Sequence, residues 1–212
     1  MKSTLKFGLL IVMLAGVFTA NAQKYRLEVG YNNPIRYGTN ISSTTFNGIK
    51  LGGTVEFDLK NNFSLLTGAL YNIIYSDKLQ MYPNKDSVTY RTMGHYLDIP
   101  IRLTYTYPIT KDLKAFGFAG PNINIGLFQQ QNTYSTLTDE LNIIDGITPG
   151  KMDLFSGSII NRLNLQVGIG GGIQWKKYQL KAGYDFGINK LNRTGTGNQY
   201  QSGWYVSVAY EF

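Results

Sequence analysis

The sequence predicts an all-β protein, an eight-stranded antiparallel up-and-down barrel that crosses a membrane. Three observations predict it. Most of the chain resolves into segments of about ten residues in which apolar and polar side chains alternate, the period of a strand with one face in oil and one in water. The connections between these segments alternate long and short. The chain ends on Gly203 to Phe212, where Trp204, Val206, Val208, Tyr210 and Phe212 share one face. An open sheet edge cannot exist in lipid, so this last strand must close against the first.

The N-terminus predicts the route to that membrane. Lys2 and Lys6 flank the start of an apolar or small-residue stretch, Phe7 to Phe18, and Ala20-Asn21-Ala22 matches a small-x-small cleavage site. Residues 1–22 therefore read as a signal peptide, cleaved at the site marked by Ala20 and Ala22, and 23–212 as the barrel domain. The apolar run is short for a spanning helix. With no cysteine in the chain, a lipid-modified N-terminus, disulfides and thiolate chemistry are excluded. The formal charge of +7 loses Lys2 and Lys6 with the leader, leaving 18 basic against 13 acidic residues, a net +5. Those basic residues are scattered and form no stripe or motif for nucleic acid. The 24 glycines and 16 tyrosines would be odd in a soluble protein and suit a barrel with aromatic girdles.

The strands follow in order. The first, Lys24 to Tyr31, puts Tyr25, Leu27, Val29 and Tyr31 opposite Lys24, Arg26, Glu28 and Gly30. After a polar loop to about Phe46, the second runs Asn47 to Leu59, with Ile49, Leu51, Val55 and Phe57 opposite Lys50, Thr54, Glu56 and Asp58. Lys60-Asn61-Asn62 is a tight turn, because asparagine tolerates the backbone angles of a hairpin. The third strand, Phe63 to Tyr75, assigns Phe63, Leu65, Thr67, Ala69, Tyr71, Ile73 and Tyr75 to lipid. A second long loop, Ser76 to about Met93, precedes the fourth strand, His95 to Tyr107. Pro100 is uncomfortable there, since proline donates nothing to a ladder.

The fifth strand, about Leu113 to Leu127, switches parity between Phe116 and Phe118 on one face and Ile123, Ile125 and Leu127 on the other. A β-bulge at Gly120-Pro121 would reconcile its halves. The long segment Phe128 to about Ile160 carries Leu137, Leu141 and Ile144 at helical spacing, with Ser135 or Thr136 as N-cap and Gly146 as stop, so a short helix is expected. The sixth strand, Asn161 to Trp175, turns at Lys176-Lys177 into the seventh, Tyr178 to Asn189, and a loop over Lys190 to Ser202 leads to the last.

Alternation alone also fits a soluble, lipocalin-like barrel of eight strands. Lipid outside is favoured because the apolar faces carry no charge, Tyr and Trp gather near strand ends, and Phe212 closes the chain. The inward face then holds Arg26, Glu28, Lys50, Glu56, Asp98, Arg102, Lys181, Asp185 and Glu211, charges of both signs that can pair. Eight strands leave room for little beyond side chains. The expected lumen is a polar plug, with an ion-selective path as the alternative.

At His95-Tyr96-Leu97-Asp98-Ile99-Pro100-Ile101-Arg102-Leu103 the sequence resembles the PorT-like outer-membrane β-barrel family, barrels of OmpA or OmpX size. Ala119-Gly120-Pro121 and the strand through Gly168 to Gly172 are similar to the family's next two landmarks. The resemblance implies fold and outer-membrane location and brings no catalytic residues. Asp98 stands where glutamate is usual, and Ile101 where leucine is common.

Catalysis is not expected. The lone histidine, His95, is three residues from Asp98, which puts the two on opposite faces of a strand. No metal cluster, phosphate loop or dinucleotide fingerprint appears, so no cofactor is expected. The expected function is a non-enzymatic barrel, structural or presenting loops to an envelope protein partner through Leu137, Leu141 and Ile144. The alternatives are a component of an envelope secretion or transport machine and a narrow solute channel. The expected surroundings are outer-membrane lipid, barrel-assembly machinery reading the final strand at Tyr210 and Phe212, and both mature termini in the periplasm.

Overall fold

The computed structural model describes residues 23–39, 41–82, 86–156, 159–193 and 197–212; the expected signal peptide, with Ala20 and Ala22, lies outside the described residues. In chain order the elements are β1 (Gln23–Gly38), β2 (Ile41–Thr45), β3 (Asn47–Asp58), β4 (Phe63–Met81), β5 (Ser87–Pro108), β6 (Leu113–Ser135), helix α1 (Asp139–Ile144), β7 (Gly150–Asp153), β8 (Leu163–Trp175), β9 (Tyr178–Gly187) and β10 (Gln199–Glu211). Neighbouring strands pair antiparallel in the order β10-β9-β8-β6-β5-β4-β3-β1. The ring closes where β10 returns to β1, from Arg26 opposite Glu211 to Gly38 opposite Gln199. Eight strands make the barrel, while β2 and β7 are short additions paired to β1 and β6. Closure removes the edge that lipid would leave unpaired.

Three short turns gather at one end. Asn61 and Asn62 both have positive φ, +60° and +64°, as a twist-matched hairpin turn requires. Lys176, with φ +53°, turns β8 into β9, and the Thr110 hydroxyl accepts the amide of Leu113 at 3.0 Å between β5 and β6. Both strand termini reach this turn end, where the Phe212 amide donates to the Tyr25 carbonyl at 3.1 Å and the Glu211 amide to the Lys177 carbonyl at 2.8 Å.

The opposite, loop end departs from expectation. The stretch read as a polar loop from Asn32 continues β1 to Gly38 and doubles back as β2. The second expected loop is a hairpin, with β4 and β5 paired from Ser76 opposite Thr92 to Met81 opposite Ser87. β6 likewise runs on to Ser135 and takes β7 along Gln130 to Thr133. These extensions carry polar residues on both faces, so no apolar period marks them, yet a backbone ladder is indifferent to side-chain polarity. The short helix forms where expected, but Thr138 is its N-cap, its hydroxyl accepting from the Leu141 amide, in place of Ser135 or Thr136. Ser135 instead still belongs to β6.

No bulge forms at Gly120-Pro121. β6 and β8 stay in register from Leu113 opposite Trp175 to Ile125 opposite Leu163, so parity never switches, and Phe116 and Phe118 point into the barrel with Asn122 and Asn124. The extra residue lies at Leu127, where the pairing shifts between His95 and Tyr96. The two prolines instead open small gaps. Pairing of β5 with β4 lapses between Ile101 and Asp98, around Pro100, and with β6 between Leu103 and Pro100, opposite Pro121. Neither proline has an amide to donate.

The outer surface is apolar and the interior polar. Leu27, Val29, Ile49, Leu51 and Val208 are about half exposed, whereas Glu28 and Ser207 on the intervening positions are 1% exposed. A soluble barrel would reverse these faces. Aromatic rings collect in two belts: Trp175, Tyr178, Tyr210 and Phe212 near the turn end, with successive centroids 5.3–6.4 Å apart, and Tyr31 with Trp204 at 5.4 Å toward the loop end. Lys176 and Lys177 lay their ammonium groups over Trp175 and Tyr210 at 5.2 and 5.9 Å, keeping charge at the interface.

Candidate functional site in the barrel lumen

Strand parity alone delivers nine charged side chains to the lumen, and the ring then decides their partners. Nearest the turn end, Arg26 is held between two carboxylates. It donates to Glu56, which also accepts from the Ser64 hydroxyl, and to Glu211 at 2.6 and 3.0 Å. One level up, Lys181 donates to Glu28 at 2.6 Å and the Ser207 hydroxyl to its other oxygen at 2.8 Å. Arg102 donates to Asp185 and to the Gly120 carbonyl. Asp98 accepts from the carboxamides of Asn72 and Asn124. Among the described residues Lys50 makes no ion pair within 4 Å; its ammonium lies 3.3 Å from the centroid of the Tyr205 ring. Burial of these groups is tolerable because almost every charge is both paired and hydrogen-bonded.

The opposite wall is apolar, a feature the alternation pattern missed. Leu66, Leu70, Pro100, Phe116 and Phe118 face the charged side across a cavity of about 30 Å³. A second, of about 40 Å³, lies between Asn72, Tyr96, Asp98, Asp185 and Tyr205. Each has room for a few water molecules at most. Glycines make the remaining fill possible. A Cβ on Gly170 would meet the Phe118 ring, one on Gly172 the Phe116 ring at 2.6 Å, and one on Gly168 the Arg102–Asp185 pair. At the turn end the lumen widens into an open recess of about 380 Å³, with Lys24 and Asp58 paired at 2.5 Å on its rim.

The loop end closes over a group that reading Asn32 to Phe46 as a loop concealed. Arg36 donates to Gln201 at 2.8 Å, to the Tyr96 hydroxyl at 2.7 Å and to Gln129 at 2.9 Å, and lies 4.8 Å over the Phe46 ring. Continuing the even-numbered inward set of β1 past Gly30 would have found it. Above sits a small apolar core of Phe46, Ile74, Tyr96, Leu154, Phe155 and Ile160. Phe155 packs on the bare α-carbon of Gly126 and meets Tyr96 edge-on at 6.1 Å. Its turn is held by Asp153, which accepts the Phe155 and Ser156 amides at 2.9 and 3.3 Å. Those amides keep the Asp153 carboxyl below the usual carboxylate range.

The other expected site residues are dispersed. Tyr210 and Phe212 lie on the outer face, 5.4 Å apart at the turn end. Leu137, which precedes α1, is buried, whereas Leu141 and Ile144 are 43% and 76% exposed. His95 faces outward, its Nδ1 2.7 Å from the Tyr71 hydroxyl, and Asp98 faces the lumen. Among the described residues no three His, Cys, Asp or Glu side chains gather to hold a metal. No described helix is long and apolar enough to cross a membrane.

The chain is similar in fold to Neisserial surface protein A, at 11% identity over 91% of this chain and 100% of that one, with a TM-score of 0.46. It is also similar to Ail, the attachment invasion locus protein of Yersinia pestis, at 11% identity, 91% and 100% coverage and a TM-score of 0.41. The outer membrane enzyme PagL is similar at 11% identity, 84% and 98% coverage and a TM-score of 0.40. No curated protein sequence matches. The model of the outer membrane protein beta-barrel domain matches residues 4–193. With the closed ring and its outward apolar face, that match makes the chain a member of the outer membrane protein beta-barrel domain family, located in the outer membrane.

Proposed function

We propose that this is a non-enzymatic outer-membrane barrel, plugged by its own side chains, whose loop end meets a protein partner in the envelope. One observation carries the plug: ion pairs stack at successive levels, Arg26 with Glu56 and Glu211, Lys181 with Glu28 and Arg102 with Asp185, under the Arg36 closure. The cavities of 30 and 40 Å³ between them are too small for a hydrated solute. Heat-modifiable gel migration of the detergent-folded protein, with liposome conductance read on the same sample, tests this. A compact, heat-shifted band without conductance is expected. Steady conductance overturns the plug and favours a narrow solute channel.

The common end of the short turns and both strand termini supports an orientation with the mature termini in the periplasm, following removal of residues 1–22. Protease added to intact cells should then cut at Lys78 or Arg91 and spare Lys176. Exposed Leu141, Ile143 and Ile144 on α1 are the proposed partner contact, and Tyr210 and Phe212 the part read by barrel-assembly machinery. The absence of catalysis rests on His95, whose ring engages Tyr71 on the lipid side, away from every lumenal carboxylate.

A second reading comes from the PorT-like pattern at His95 to Leu103, Ala119 to Pro121 and Gly168 to Gly172, which favours a component of a secretion or transport machine. Loss of secreted proteins on gene deletion would support it, and an unchanged profile would count against it.

A further inference from the structure

Beyond the Arg36 closure, the extended walls of β4, β5 and β6 face β2 across a groove of about 420 Å³. That volume falls within the roughly 300–1,000 Å³ of small-ligand pockets, but the lining chemistry is different from that of an apolar pocket. Among the described residues it consists of four hydroxyl residues, Ser42, Thr44, Ser76 and Thr92, with two glutamines, the Tyr90 ring and one cation, Lys78, and no carboxylate and no Val, Leu, Ile, Met or Phe. Ser76 and Thr92 are only 5% and 6% exposed as whole residues, but among the described residues neither hydroxyl oxygen is a fully buried atom left without a partner. Both residues line the groove, so their hydroxyls can meet a ligand there.

We infer that this groove binds a neutral oligosaccharide. Sugar hydroxyls both donate and accept, which matches Ser, Thr and Gln groups that do the same. The apolar face of a pyranose ring can lie against Tyr90, whose ring offers flat area and a polar tip. An apolar ligand would leave the hydroxyls unpaired, which is costly in a closed site. A sulfated or uronic glycan would bring several negative charges to one lysine. The inference rests on the proposed orientation for access to glycans outside the cell. Two sources share this chemistry, the cell's own surface polysaccharide and free polysaccharide in the surroundings.

The test uses the full mature chain, isotopically labelled and folded in detergent micelles, with NMR shift changes read during titration. The probes are maltohexaose, cellohexaose, mannohexaose, the delipidated O-polysaccharide of the native host, and a heparin-derived hexasaccharide as the sulfated comparison. Saturable binding of at least one neutral probe is expected. Tyr90→Ala and Thr92→Val, each verified as folded by heat-modifiable migration, should weaken it about tenfold, the scale of one lost hydrogen-bonded or stacking contact. Binding of the O-polysaccharide alone points to the cell's own glycan, and binding of a hexaose to an external one. No saturable neutral binding, stronger binding of the heparin fragment, or unchanged affinity in both variants overturns the inference. Should micellar binding occur while Lys78 and Arg91 stay protected from protease on intact cells, the orientation fails and the site stands.

Discussion

Asp185 receives the Arg102 guanidinium beside the bare α-carbon of Gly168, in the volume that a side chain there would fill. The inward glycine is thus part of the charge network, because β8 leaves room for the pair that β5 and β9 supply. Gly168→Ala should force Arg102 or Asp185 aside and lower stability by about 1–3 kcal/mol, the scale of overpacking. Urea unfolding in lipid vesicles measures it, and a midpoint equal to the wild type would mean the pair relaxes without cost.

Arg26 is the hub of the turn-end triad, so its removal takes the cation from buried Glu56 and half-buried Glu211 at once. Arg26→Gln should cost about 3–5 kcal/mol, as for a broken buried pair. Adding Glu56→Gln and Glu211→Gln to the same protein should restore part of the loss. If the triple variant is no more stable than the single one, the charges are not what holds this level together.

Lys50 and Tyr205 stand between the two small cavities and line both. Lys50→Ala with Tyr205→Ala should join them and give a small, steady conductance in planar bilayers where the wild type gives none. A folded double variant that stays silent would locate the decisive barrier at the Arg36 closure, which Arg36→Ala then tests.

The Asp153 turn carries a pH dependence of known sign. Its carboxyl is held below the ordinary carboxylate range by the Phe155 and Ser156 amides, so the ionised form stabilises the turn. That contribution is present above the unfolded-state value and is lost as pH falls through the lower, folded one. Trypsin cutting at Lys151 or Arg162, after brief acid exposure and neutral quench, should rise with acid pretreatment if reclosing is slow. Asp153→Ala should show the higher rate at every pH, and a variant indistinguishable from the wild type would remove the turn from the cap.

Asn61 and Asn62 occupy left-handed backbone, which costs most other residues about 1–2 kcal/mol each. Asn61→Val should therefore destabilise the β3–β4 hairpin by that amount, and Asn61→Gly should not. Equal effects in the two variants would assign the role to the side-chain amide instead.

The alternation of apolar and polar residues determined the strand number, and with the uncharged apolar faces and the Tyr and Trp near strand ends it determined the outward face and the lumenal location of Arg26, Glu28, Lys50 and the other six charges. Parity is a local property, set by each residue's place in its own strand. Partner choice is not local: Arg26 meets Glu211 only because the last strand closes on the first, and Phe116 turns inward only because β6 keeps its register through Gly120-Pro121. The loop-end walls were hidden for a related reason. Their ladders are held by backbone hydrogen bonds between stretches that are polar on both faces, so nothing in the side-chain period announces them, and Arg36, Phe155 and the Ser76–Thr92 groove exist only once those walls stand.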